Sequence, residues 1–269
     1  MTLEFTPADG LLGALEHLRV ALAGPIAHLR LERPEKRNAL SAALIEALQS
    51  AFNQLPDTVR VAILSGEGEH FSAGVDLSEI GERDIVTGLM RSRASHGVFD
   101  QIQFVRVPVI ALLHGAVIGC GLELAATCHL RIAERSAYFG LPEGQRGIFV
   151  GGSGAVRIPK LIGVARMTDM MLTGRVYGAE EGYAIGLAQY LVEDGQGFAK
   201  AVELAVRIAG NAPLSNYAIM HALPRIAEQS HSDGLLSESL MAAVSESTPD
   251  AKERLRAFLE KRADKVRKR

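Results

Sequence analysis

Hydrophobic positions follow two different spacings along this chain, and the spacing changes partway through. In the first part, short continuous apolar runs alternate with helical patterns. Val59–Gly66 ("VRVAILSG") and Pro108–Gly115 ("PVIALLHG") are apolar almost throughout and end at glycine, as strands buried on both faces do. Pro108 fits only at a strand's first position, because proline cannot donate to a ladder. "HLRIAE" and "AYFGLPE" are two more short strand candidates. Leu44, Leu48, Phe52 and Leu55 recur at helical spacing, with Ser41 placed to cap that helix. "GLELAATC" is short and rich in Ala and Leu after glycines, which suits a helix packed tightly in a core. From about Ser153 onward helical patterns dominate: Val164–Gly174, Ala179–Leu187, Gly197–Gly210, Leu214–Gln229 and Asp250–Val266. The last of these carries Leu255, Phe258 and Leu259 on one stripe among charges. Strands alternating with helices, then mostly helices, predict an α/β fold with a helical C-terminal region.

Length and composition narrow the class. A chain of 269 residues with 48% hydrophobic and 22% charged positions is globular and can bury a sizeable core. The formal net charge of −2 gives no bulk attraction to nucleic acid or to an acidic membrane surface, so neither is expected as a partner. The basic end "KVRKR" reads as a solvated helix terminus. Two cysteines, Cys120 and Cys128, make no disulfide framework, and no Cys/His cluster has zinc-ligand spacing, so no metal is expected. The start "MTLEFTPADG" lacks the features of a signal peptide, and no apolar run reaches membrane-spanning length. A cytoplasmic protein is the expectation.

Motifs for a dinucleotide site and for a P-loop are missing. "GGSGA" (Gly151–Ala155) resembles a nucleophile elbow but has Ala155 where the last glycine belongs, so Ser153 is expected to cap a helix rather than act as a nucleophile. His114, at a strand end, is expected to be structural. Four stretches remain. "FSAGVDL" (Phe71–Leu77) and "HGAVIGCGLELA" (His114–Ala125) each follow a buried strand and expose backbone N–H groups at a glycine turn. "LPEG" (Leu141–Gly144) brings a second carboxylate, Glu143, to join Glu123, and "VGGSG" (Val150–Gly154) is an open glycine loop. Two turn amides suit a carbonyl oxygen that becomes anionic, and two carboxyls beside them suit proton transfer or holding a water. Tight turns and a surface charge would account for the same residues.

The order and spacing of these stretches resemble the crotonase (enoyl-CoA hydratase/isomerase) superfamily. The resemblance runs through "ERPEKRNALS", "FSAGVDLSEI", "HGAVIGCGLELAATCHLRIA", "FGLPEGQRGIFVGGSGAVRIPKLIG", "LTGRVYGAEEGYAIGLAQYLV" and "AFLEKR", nearly the whole chain after about residue 20. It implies a spiral of ββα units over residues 1–195 holding the CoA and acyl site, and a helical trimerisation region over 196–269. It implies a CoA thioester as substrate, with no separate cofactor, and a homotrimer or a dimer of trimers. By resemblance the oxyanion donors are the N–H groups of Val75 and Cys120, and the acid–base pair is Glu123 and Glu143. CoA and substrate binding is expected along Lys36, Arg37, Ala39, Ala73, Asp76, Leu77, Gly119 and Pro142. Phe258 and Lys261 match C-terminal positions that approach the nucleotide.

Hydratases of the family carry both glutamates, whereas isomerases commonly keep only the second. The pair in this chain therefore predicts hydration of a 2-enoyl-CoA, with isomerisation or an unusual acyl group as the alternative. An RNA-binding or scaffolding family member is the alternative from another class, but near-neutral charge and the lack of clustered Lys and Arg outside the tail speak against RNA, and a scaffold leaves the two glutamates unexplained. Three positions depart from the usual pattern. Cys120 replaces the middle glycine of a Gly-Gly-Gly run, which predicts an ordinary negative φ there. Val150 replaces a proline. Gln145 and Arg146 follow Glu143 where apolar residues are common, and are expected to bear on acyl specificity.

Overall fold

The continuous apolar runs form the strands of one large sheet. The computed structural model describes residues 3–79, 81–82 and 84–262. Short β1 (Thr6–Pro7) leads through α1 (Gly10–Gly13) into the hairpin of β2 (Leu18–Ala23) and β3 (Ile26–Leu31). Helix α2 (Ala42–Gln54) carries the chain to β4 (Val61–Gly66), and α3 (Ile85–Gln103) carries it to β5 (Val109–Leu113), β6 (Ala116–Ile118) and α4 (Cys120–Thr127). Then come β7 (Leu130–Glu134), β8 (Tyr138–Gly140), α5 (Gly154–Ile162), α6 (Val164–Thr173), β9 (Val176–Gly178), α7 (Ala179–Ile185), β10 (Tyr190–Val192) and α8 (Gly197–Ala209).

The large sheet has the order β1-β2-β3-β4-β5-β7-β10, antiparallel through β3 and parallel beyond it. Its central strands β4 and β5 are buried on both faces. Leu29, Leu64 and Ala111 face one core, with α2 behind them. Val61, Ile63, Ile110 and Ile132 face the other, closed by Ala201, Leu204 and Ala205 of α8. The second sheet, β6-β8-β9, is fed by the same turns of chain. After β4 the chain reaches Ser72, which bridges Val117 of β6; β5 passes into β6, and β7 into β8. Each turn thus adds one strand to the large sheet and one short segment beside the second, which is the expected ββα spiral.

Ser41 caps α2 as predicted, its hydroxyl accepting from Leu44 N–H at 3.2 Å. The spacing missed the β2–β3 hairpin and α3. Helix α3 starts at Asp84, whose carboxylate accepts from Thr87 N–H at 2.9 Å, but its first half exposes Ile85, Val86, Leu89 and Met90. Only Val98, Phe99 and Ile102 near its end are buried, so the apolar positions form no single stripe.

Contacts divide the chain into two units, Met1–Ala209 and Gly210–Arg269. The expected division at 195/196 falls one helix earlier, before α8, whose apolar face is committed to the sheet. The second unit contains α9 (Pro213–His221), α10 (Leu223–Ile226), α11 (His231–Glu246) and α12 (Pro249–Leu259). The single helix expected over Leu214–Gln229 is broken between α9 and α10, because Pro224 has no N–H to donate to residue 220. The basic run "KVRKR" lies outside the described residues. Among the described residues, no helix is long and apolar enough to cross a membrane.

Candidate active site

Two glycine turns run side by side. Ser72 N–H donates to Ala116 O at 2.9 Å and Ile118 N–H to Ser72 O at 3.1 Å, so Phe71–Gly74 runs parallel to β6 with Ser72 opposite Val117. Three residues further along each segment stand Val75 and Cys120. A Cβ placed on Gly74 would come within 3.5 Å of Cys120 N, which fixes how close the turns are. On its other side, Leu40 N–H donates to Gly74 O and the Leu40 carbonyl accepts from Asp76 N–H, so the amide of Val75 points away from that bridge. Cys120 opens α4, where the first N–H groups have no helical acceptor. Neither the Val75 nor the Cys120 amide donates to a protein acceptor among the described residues.

Gly119 makes this presentation possible. Its φ of 53° and ψ of −124° form a conformation that a side chain disfavours, and they turn the chain from β6 into α4. The positive φ sits at Gly119 and not at Cys120, so the cysteine is accommodated without backbone strain, as expected.

Two carboxyls flank the Cys120 amide. Glu123, one turn along α4, is only 2% exposed, and its Oε1 accepts from Gly152 N–H at 3.0 Å and Gly154 N–H at 2.6 Å. Burial pushes its pKa above the usual carboxylate range. The two amides oppose that rise, and the neighbouring Cys120 thiol and the positive charge of Arg157 oppose it further. Glu143, 8% exposed, lies over the other side of the turn: a Cβ on Gly119 would stand 2.8 Å from its Oε1. Its Oε2 is buried without a protein partner among the described residues. Burial again raises the pKa most, and the nearby charge of Glu123 raises it further, against its own amide and Arg146.

The loop that grips Glu123 is built for the task. Side chains at 152 or 154 would collide with Glu123, at 3.0 Å from Oε2 and 2.7 Å from Cγ respectively. Between them Ser153 takes φ 90°, a left-handed conformation unfavourable for serine. Ser153 does stand at the N-cap of α5, but its side chain makes no capping bond and its Oγ has no partner among the described residues; the expected capping role is corrected to a backbone one. The loop of Glu143 is pinned separately. Gln145 Nε2 donates to Thr173 O at 3.0 Å at the end of α6, so Gln145 serves as a clamp there, while Arg146 is exposed. His114 Nε2 bonds Gly68 O at 3.0 Å, a structural contact as expected.

The segment proposed for CoA is held by residues to which the sequence assigned no role. Asn38, fully buried at φ 52°, accepts from Arg33 N–H at 2.9 Å and donates to Glu67 O and His70 O at 2.8 and 2.7 Å. Arg33 donates to Ala39 O and to Asp76 Oδ2, both at 2.8 Å, tying the two loops together. The Asp76 side chain is therefore engaged inward. The Ser78 hydroxyl, then Arg33, hold its carboxyl well below the usual range. Lys36, Arg37 and Leu77 are exposed, Ala73 and Pro142 are half-buried, and Ala39 and Gly119 are buried. Phe258 and Lys261 belong to the second unit, where both are exposed. Arg33 and Asn38 sit within "ERPEKRNALS"; an asparagine after two basic residues at a turn was the available signal, since Asn tolerates φ > 0.

A ββα spiral with paired turn amides and two buried carboxyls is the crotonase fold. The sequence model of the enoyl-CoA hydratase/isomerase family matches residues 22–268, and the chain belongs to that family. It is 32% identical to the short-chain-enoyl-CoA hydratase of Clostridium acetobutylicum, covering 89% of this chain and 93% of that one. It is likewise 32% identical to the 2,3-dehydroadipyl-CoA hydratase of Escherichia coli, covering 87% and 92%. A crystal structure of a provisionally named enoyl-CoA hydratase from Rhodopseudomonas palustris superposes with a TM-score of 0.89 at 57% identity, covering 91% of this chain and 95% of that one.

Proposed function

We propose that this protein is an enoyl-CoA hydratase, adding water across the C2=C3 bond of a 2-enoyl-CoA thioester. The observation that carries the reading is that both buried glutamates flank the free amide of Cys120. The amides of Val75 and Cys120 receive the thioester oxygen, drawing electron density from the conjugated double bond. Glu123 accepts a proton from water as its oxygen bonds to C3. The C2=C3 pair moves toward C2 and the carbonyl oxygen, and Glu143 delivers its proton to C2. The starting state needs one carboxylate and one carboxylic acid. Two nearby acids in an apolar site favour that distribution, because their charges repel. Two backbone amides converge on Oε1 of Glu123, and among the described residues no protein donor reaches Oε2 of Glu143, which supports ionised Glu123 and protonated Glu143.

CoA lies along Lys36–Ala39 and Ala73–Leu77 in this reading, reached largely through backbone groups because the Asp76 carboxylate is already engaged. Phe258 and Lys261 match C-terminal positions of the family that approach the nucleotide, and CoA is part of the substrate rather than a separate cofactor. The second unit exposes Leu223, Leu235, Leu236, Leu240 and Leu259, apolar residues that support assembly into a homotrimer or a dimer of trimers. The test is a panel of short, long and aryl 2-enoyl-CoA thioesters, followed by loss of the conjugated-enoyl absorbance. Loss with at least one substrate is expected. No loss with any, together with conversion of a 3-enoyl-CoA to its conjugated isomer, would overturn hydration in favour of isomerisation.

A further inference from the structure

The loop that grips Glu123 is tethered to α3. The Val150 side chain is buried in the core, yet among the described residues the backbone of 149–151 makes only one hydrogen bond. Ser92 Oγ, midway along α3, donates to Gly151 O at 2.7 Å. A serine inside a helix often bonds the carbonyl four residues back or faces water; Ser92 reaches across to the loop instead. With its proton on Gly151, the same oxygen is left to accept from Nε2 of His96, one turn along, at 3.3 Å. The carbonyl of Gly151 and the N–H of Gly152 belong to one peptide group. That group is planar and trans, so its oxygen and its N–H point in opposite directions. The oxygen meets Ser92, and the N–H meets Glu123 Oε1 at 3.0 Å. Glycine on both sides leaves this peptide free to rotate unless something holds it. The next residue, Ser153 at φ 90°, is strained, and such a conformation persists only where the chain is fixed around it. Beyond Ser153 that fixing comes from α5, whose buried Arg157 donates to Gln103 Oε1 at 2.6 Å and Asp100 Oδ1 at 2.5 Å on α3. Before Ser153 it comes from Ser92.

We propose that Ser92 is a positioning residue for hydration: by donating to the Gly151 carbonyl it aims the N–H of the same peptide, that of Gly152, at the proton-accepting carboxylate of Glu123. The proposal rests on the hydratase reading above. Without the hydroxyl, the peptide between the two glycines turns, and Oε1 keeps only the Gly154 amide. A backbone donor favours the ionised form of a carboxylate, and a hydrogen bond to a charged acceptor is about twice as strong as a neutral one. Donation to the Gly151 oxygen also polarises the peptide and strengthens its N–H as a donor. The titratable and charged groups around Glu123 are Glu143 from the loop after β8, Arg157 of α5 and the Cys120 thiol on its own helix. Beside Ser92 stand His96 and Arg91, the latter paired with Glu79 at 3.7 Å. Replacing the Ser92 hydroxyl removes none of these groups, so a change at Glu123 reads the orientation of the peptide.

The experiment compares wild type, Ser92→Ala, Ser92→Thr and Ser95→Ala. It reads kcat for the best enoyl-CoA substrate and the carbon-13 NMR titration of glutamate carboxyls, with the Glu123 signal assigned by its loss in Glu123→Gln. In Ser92→Ala the Glu123 carboxyl should titrate about one unit higher, as loss of a charge-assisted hydrogen bond does. Its kcat should fall about tenfold, because the proton acceptor is misaligned. Ser92→Thr keeps the hydroxyl and should restore both. Ser95→Ala, on the same helix, should match wild type in both. Alanine is the better helix former, so neither alanine variant weakens α3 itself, and circular dichroism confirms the fold. An unmoved Glu123 titration in Ser92→Ala, or an equal shift in Ser92→Thr or Ser95→Ala, overturns the proposal. The titration needs no turnover. A wild type that hydrates no enoyl-CoA would therefore overturn the hydratase reading, while the link from Ser92 to Glu123 is judged on its own signal.

Discussion

The amide of Gly154 donates to Oε1 of Glu123 at 2.6 Å, and a Cβ on Gly154 would stand 2.7 Å from Cγ of the same glutamate. Donor and steric limit coincide, so residue 154 can hold this carboxyl only while it has no side chain. Gly154→Ala should displace Glu123 and lower kcat by at least about tenfold, as loss of aligned acid–base chemistry does. Overpacking a buried site should also lower stability by about 1–3 kcal/mol, measured by urea unfolding. Wild-type turnover in the folded variant would show that the position of Glu123 does not matter.

Glu123→Gln and Glu143→Gln keep shape and remove the acid–base function. Each should slow hydration of crotonyl-CoA by at least about a hundredfold, in line with typical acid–base contributions. The double variant should fall well short of the product of the single losses, because the two groups act as one unit. Near-normal turnover in either single variant would remove that glutamate from the reaction.

Sequence patterning revealed what is buried on both sides and little of what is exposed. Strands β4 and β5 and helix α4 were legible because nearly every residue in them is apolar. Helix α3 was not, because it turns Ile85, Val86, Leu89 and Met90 outward and buries residues only near its end. The two glutamates and the two glycine turns were legible as motifs. Their support was not: Asn38, Arg33 and Gln145 act through contacts between segments distant in sequence, which no local spacing encodes. The glycine loop at Val150–Gly154 reads as open in the sequence, yet its Gly152 and Gly154 amides are spent on Glu123.

Asp76 links stability to pH. The Ser78 hydroxyl and Arg33 hold its carboxyl below the unfolded-chain value of about 4. A depressed carboxylate contributes stability that is fully present above that unfolded value and is lost as pH falls through the folded one. Asp76→Asn should therefore be less stable than wild type at pH 7, with the gap closing as pH falls below about 4. Thermal unfolding across pH 3–7 checks this; a gap that stays constant with pH would assign the loss to packing alone.

Gly119 tests whether the aim of the Cys120 amide matters separately from stability. Gly119→Ala forces a side chain onto φ 53°, ψ −124°, at a cost of about 1–3 kcal/mol. The added Cβ would meet only the end of Glu143, at 2.8 Å from Oε1, and a flexible carboxyl can swing aside. The fold should survive, while the proton donor and the neighbouring oxyanion amide are both displaced. Gly24→Ala is the control: it has a similar φ of 55°, in the β2–β3 turn, with nothing within 4 Å of the new Cβ. Both variants should lose comparable stability in urea unfolding. Only Gly119→Ala should lose activity, by at least about tenfold in kcat. Equal activity in the two variants would separate Gly119 from catalysis and leave it a turn residue alone.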